Sequence, residues 1–228
     1  MYTMYTYAVC NVKPRPLDQR LSCQNGGMTD VLEQARHLMR SRDRTVLGIV
    51  GPPGAGKSTL AERLVAELGD AAVLVPMDGF HLAQAELRRL GRAERKGAPD
   101  TFDAHGYAAL LRRVRTAGDD EVVYAPAFDR SLEEPIAGAI AIERSARLIV
   151  TEGNYLLLDH GPWAAVRPLL DAVWYVDVDD EVRRQRLVRR HTTFGRTDEE
   201  ALAWVNAVDE PNAAQVAKTR ERADLIVG

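Results

Sequence analysis

The chain has two cysteines in 228 residues, Cys10 and Cys23, and both fall within its first 27 positions. No disulfide is therefore expected to brace the body of the protein, and this usage fits a reducing, cytoplasmic setting. No apolar run approaches the length of a membrane-spanning helix, so no membrane partner is expected. Neither charge dominates: 30 basic residues face 33 acidic ones, for a formal net charge of -3. That balance does not call for a nucleic-acid partner or an anionic lipid surface. The start of the chain lacks the basic leader and apolar stretch of a secretory signal, and also the Arg/Ser-rich pattern of a transit peptide. There is no internal repeat and no low-complexity tract.

What is present is ordinary for a globular protein, with 46% hydrophobic and 28% charged residues. The length allows one full α/β domain, with room for a lid. Residues 1–27 carry Tyr2, Tyr5, Tyr7, Pro14, Pro16 and an Asn25–Gly26–Gly27 run, and are expected to be a disordered extension. The domain is expected to span 28–228. It opens with a helix in which Val31, Leu32, Ala35, Leu38 and Met39 recur at helical spacing, with Thr29 or Asp30 as cap.

Short apolar runs then read as buried strands: TVLGIV (45–50), AAVLVP (71–76), RLIVTEG (147–153), AVWYVDV (172–178) and ADLIV (223–227). EVVYAPAF (121–128) reads as a short strand leading into a loop, residues 79–106 as irregular, and 107–116 as helical. A basic helix is expected at 180–191, then a turn at Gly195 and a helix opening on the acidic TDEE from Thr197. Apolar strands alternating with helices indicate a parallel sheet covered on both faces.

Residues 51–58, GPPGAGKS, match G-x-x-x-x-G-K-[ST] between a strand and a helix. Glycines let the backbone turn its N–H groups inward around a phosphate, and the following helix adds its positive end. Gly51, Pro52, Pro53, Gly54, Ala55, Gly56, Lys57, Ser58 and Thr59 are therefore expected to bind ATP, with Lys57 on the β- and γ-phosphates and Ser58 on Mg²⁺. An N-K-x-D guanine motif is missing, since NAVD (206–209) lacks the lysine. An LSGGQ-like transporter signature is missing too, which leaves a small-molecule kinase. Asp78, in PMDGFH (76–81), stands at the carboxyl end of the second strand, where open α/β sheets bind ligands. It reads either as a base for an attacking hydroxyl or as a turn aspartate.

Several segments resemble the phosphoribulokinase/uridine kinase/pantothenate kinase family, in order along 28–228. They are VPMDGFH (75–81), KGAPDTFD (96–103), YAPAFDRSLEEP (124–135), VTEGNYLL (150–157) and RRQRLVRRHTTFGRT (183–197). DEPNAAQV (209–216) resembles a segment of the nucleoside/nucleotide kinase-like members. One departure is Ala98, where uridine kinases have His. The resemblance implies a three-layer P-loop NTPase fold: a mainly parallel five-stranded sheet, helices on both faces and a helical lid at about 183–200. It also implies Asp78 as general base and Glu152 near Mg²⁺ or its waters. Arg183, Arg186 and Arg190, spaced i, i+3, i+7, would lie over the transferring phosphoryl, Arg186 and Arg190 being catalytic. The plain alternative for that cluster is a solvated helix face.

The substrate pocket is expected from His81, Lys96, Asp103, Tyr124, Phe128, Asp129 and Arg130, and an adenine contact from Asn212. His81 would bind substrate, pack or cap; Phe128 would stack or join the core. Arg130 would grip an anion or pair with Glu133 or Glu134. The activity expected is transfer of the ATP γ-phosphoryl to a hydroxyl of a nucleoside, pantothenate-like compound or sugar. The alternative is a nucleotide-dependent regulatory ATPase. A homodimer is also implied, since many members are dimers or larger.

Overall fold

The computed structural model describes residues 21–23, 28–40 and 42–228, with residues 21–23 described by their backbone alone. The apolar runs become parallel strands because their side chains are buried on both sides. β2 (Thr45–Val50), β6 (Leu148–Gly153) and β7 (Ala172–Val176) are buried at every position. β3 (Ala72–Leu74) and β8 (Leu225–Val227) flank them, giving the order β8-β7-β2-β6-β3 with every pairing parallel. A short β1 (Leu21–Cys23) adds a sixth, outermost strand against β8. It lies inside the stretch read as an extension; residues 1–20 and 24–27, including Cys10, lie outside the described residues.

Alternation along the strands sends side chains into two cores. Val46 and Val50 of β2 face one, with Tyr107 and Leu111 of α4 (Ala104–Thr116), Trp163 and Val166. Leu47 and Ile49 face the other, with Val31, Leu32 and Ala35 of α1 (Met28–Arg40) and Ala61 and Leu64 of α2 (Lys57–Leu68). That is the three-layer arrangement expected. In register, Val50 stands opposite Gly153 and Tyr175. The segments leaving β2, β6 and β7 thus emerge together at one edge of the sheet, the usual ligand edge. Among the described residues, no helix is long and apolar enough to cross a membrane.

Two stretches depart from the sequence reading. The supposedly irregular span contains α3 (Gln84–Arg89), whose six residues bury only Leu87 and so carry little periodic signal. The loop expected after residue 128 is half of an antiparallel hairpin, β4 (Val123–Asp129) and β5 (Glu134–Ile142). Ala125 pairs with Ile140 but Ala127 with Ile136, so three residues of β5 oppose Pro126. A proline offers no N–H to the ladder, and Gly138 absorbs the bulge at φ 68°. The Asp129 carboxylate forms the turn by accepting from the Ser131 and Leu132 amides at 2.8 and 3.1 Å.

The segment expected to form a lid, about 183–200, falls in α5 (Asp180–Thr193), the turn at Gly195 and the start of α6 (Asp198–Trp204); a π-helical turn at 205–209 and α7 (Glu210–Ala217) follow. Thr197 caps α6 in a capping box with Glu200. Arg183 does not lie over the phosphate loop. It is 1% exposed and clamped between Asp180 (3.0 Å), Glu210 (2.6 Å) and the Pro53 carbonyl (3.4 Å). Gly54, at φ 81°, fits directly against it, since a Cβ there would come within 2.8 Å of the Arg183 carbonyl oxygen. Arg183 thus braces the loop from behind. Replacing it by Met leaves Glu210 with Arg184 alone (3.0 Å) and the Pro53 carbonyl without its donor, and is expected to cost about 2 kcal/mol of stability in urea unfolding. Unchanged stability with lost turnover would instead return Arg183 to the reacting phosphate.

Candidate active site

The loop between β2 and α2 is held open by its own backbone. The Ala55 amide donates to the Pro52 carbonyl at 3.1 Å, and Gly56 precedes α2 in the left-handed region with no side-chain cap. The first amides of α2 are therefore left for an external acceptor, the setting in which helix ends take phosphate. Lys57 is buried, and its ammonium donates to the Pro52 carbonyl at 3.0 Å. Removal from water lowers its pKa to about 8, against the opposing pull of Glu152 and Asp78. Next to it, the Ser58 hydroxyl donates to Glu152 Oε1 at 3.1 Å. Glu152 is the penultimate residue of β6 and is buried, and burial, then the neighbouring Asp78 carboxylate, pushes its carboxyl well above the usual range.

Asp78 sits in the short turn after β3, where Gly79 lets the hairpin come close. A Cβ at position 79 would lie 2.3 Å from the Pro126 carbonyl oxygen. This contact brings β4 beside Asp78, so Arg130 Nη2 lies 3.6 Å from Asp78 Oδ2. His81 packs between Phe102 and Phe128, at 4.0 and 4.8 Å between ring centroids. Its Nδ1–H donates to the Asp78 carbonyl at 2.8 Å, which leaves Nε2 as an acceptor. Burial lowers the imidazole pKa and favours that neutral form. Lys96 lies 5.0 Å over the Phe128 ring and donates to the Glu133 carbonyl at 2.5 Å.

One cavity of about 1110 Å³ joins these groups. Its lining includes Lys57, Ser58, Asp78 and Glu152 beside Arg186 and Arg190 of α5, and His81, Lys96, Phe128 and Arg130 further along. Arg186 Nη1 reaches the Ala55 carbonyl at 3.5 Å. Arg190 acts electrostatically on Lys57, lowering its pKa further.

Three residues expected in the pocket do not line the cavity. Asp103 caps α4, accepting from the Gly106 amide at 2.8 Å. Tyr124 is 57% exposed on β4, and Asp129 is spent on the hairpin turn. Asn212, expected at adenine, is buried, with its amide 3.4 Å from the Gly97 carbonyl, on the wall that carries Lys96. Sequence reading missed Arg88, which lines the cavity from α3, and the His191–Asp209 pair at 2.8 Å. Nothing in their local spacing marks them: Arg88 lies among other arginines, and Asp209 turns inward only through the π-helical turn.

Residues 46–228 match the model of the phosphoribulokinase/uridine kinase family, and the chain belongs to that family of P-loop kinases. A Schizosaccharomyces pombe protein provisionally named a uridine kinase is 34% identical over 209 residues, covering 87% of this chain and 88% of its own. A pantothenate kinase of Leifsonia xyli is 29% identical, over 93% and 75% of the two chains. A crystal structure from Silicibacter sp. TM1040, provisionally named a fructose transport system kinase, superposes with a TM-score of 0.80 at 33% identity. It covers 89% of this chain and all of that one. The family is common to all three; the compound in the name is not.

The lowered pKa of Lys57 carries a pH signature. Phosphate binding favours the ammonium, so below about 8 the lysine is already charged and adds no pH dependence of its own to ADP affinity. Above that value binding must take up a proton, and affinity should fall by up to ~10-fold per pH unit in titrations of ADP. Affinity that stays level to pH ~9.5 would mean that Lys57 does not meet the phosphates.

Proposed function

We propose that the chain transfers the γ-phosphoryl group of ATP, with Mg²⁺, to a hydroxyl of a small metabolite, with Asp78 receiving the hydroxyl proton. The observation that carries this reading is one cavity in which a phosphate loop with a buried lysine faces a carboxylate at the end of the next strand. The amides of the loop and Lys57 hold the β- and γ-phosphates, Lys57 exchanging its bond to the Pro52 carbonyl for a phosphate oxygen. Arg186 and Arg190 bring positive charge from the lid toward the transferring group and exclude water. Asp78 orients the acceptor and takes up its proton, while Arg130 keeps that carboxylate in place.

The residues present fit a divalent cation. Ser58 and Glu152 stand together beside the phosphate loop, and burial and the neighbouring Asp78 carboxylate disfavour the negative charge of Glu152, which a cation would favour. Ser58 would hold the ion and Glu152 its waters. When bound, it neutralises phosphate oxygens during transfer. The acceptor belongs to the range suggested by the relatives' names: a nucleoside, a pantothenate-like compound or a sugar.

Replacing Asp78 by Asn keeps shape and removes the base. Acceptor-stimulated ADP release should fall by ~10²-fold or more, while ATP affinity stays within a few-fold of the parent. An Asn variant that turns over at the parental rate would refute the assignment.

A further inference from the structure

The acceptor end of the cavity holds more cationic groups than its own carboxylates occupy. Glu134 accepts the Gln84 amide at 3.1 Å with each oxygen and so caps α3. Glu133 stands 3.8 Å from Lys96, whose ammonium also bonds the Glu133 carbonyl. Glu152 is engaged by Ser58. Asp78 remains, and its 3.6 Å separation from Arg130 exceeds a hydrogen bond. Arg88 lies one helical turn beyond Gln84 and lines the same cavity, and its guanidinium has no ion pair or hydrogen bond among the described residues. Arg130 pairs with neither Glu133 nor Glu134, the partners its position in the turn offered.

We propose that the acceptor carries its own anionic group, a carboxylate or phosphate monoester, held by Arg130 and Arg88 while its hydroxyl faces Asp78. The proposal rests on the kinase reading and narrows its substrate class. Guanidinium groups present a planar fork that matches either anion. The geometry limits size: with Arg130 and Asp78 only 3.6 Å apart and a hydrogen bond of ~2.8 Å at each end, anion and reacting hydroxyl lie within about 9 Å. A few covalent bonds separate them. Nε2 of His81 is placed to accept from a further hydroxyl of the same molecule. A neutral nucleoside or free sugar would leave the Arg88 guanidinium without a counterion and Arg130 with Asp78 alone.

The test begins with binding, which needs no knowledge of the acceptor. The full chain, saturated with magnesium and a non-hydrolysable ATP analogue, is titrated with inorganic phosphate by calorimetry. One phosphate per chain is expected, with affinity weakened at least about tenfold in Arg130→Met and in Arg88→Met. No binding, or binding as tight as the parent's in either variant, overturns the proposal. Acceptor-dependent ADP release is then compared within matched pairs, glycerol against glycerate and ribose against ribose 5-phosphate. Preference for the charged member supports the proposal, and the pair that responds separates carboxylate from phosphate. Preference for the neutral members overturns it and leaves the kinase reading intact. Arginine-dependent phosphate binding without any acceptor-dependent release would support the anion site and count against the kinase reading.

Discussion

The site depends on a lysine ammonium taken out of water. Burying Lys57 beneath the phosphate loop costs enough to bring its pKa down to about 8, and the protein offsets that cost only in part. Pro52 supplies one carbonyl, and Glu152 and Asp78 supply negative charge from the ends of two other strands. The arrangement is left unbalanced in a useful way. Asp78 and Glu152 oppose each other, Arg190 opposes Lys57, and a polyphosphate with its cation would relieve both conflicts at once. The sheet register makes this possible, because it delivers the ends of β2 and β6 to the same edge.

The second constraint is close approach. Gly54 lets the buried Arg183 support the phosphate loop from behind, and Gly79 lets the hairpin pack onto the turn bearing Asp78. One contact sets the phosphate-loop end of the cavity and the other the end that carries Asp78. The hairpin tip is tied down by Glu134 on α3 and Lys96 on Glu133, so Arg130 is presented by a braced element rather than a free loop.

Much of this was legible in the sequence, and the reason differs by element. The phosphate loop is contiguous, and its chemistry is written in consecutive residues. The buried strands are apolar runs, and Asp78 and Glu152 stand at their ends. Residues whose roles depend on tertiary rotation were less legible. Arg183, Arg186 and Arg190 share a helical spacing, but packing against Gly54 and Glu210 turns Arg183 under the loop and leaves the other two at the cavity. Tyr124 and Phe128 are four apart and would share a face of a regular strand. Tyr124 is nevertheless exposed while Phe128 lines the cavity beside His81 and Lys96, a difference set by what packs along the hairpin and not by spacing. β5 itself was hidden because most of its side chains are exposed and its pairing is interrupted.

The central claim is that the phosphoryl group leaves ATP for an alcohol rather than for water. Phosphorus NMR of a reaction containing the full chain, Mg·ATP and a mixture of small carboxylated and phosphorylated alcohols tests it most directly. The account predicts a new phosphate monoester resonance growing in step with ADP. ADP accompanied only by inorganic phosphate would contradict it and identify a hydrolase.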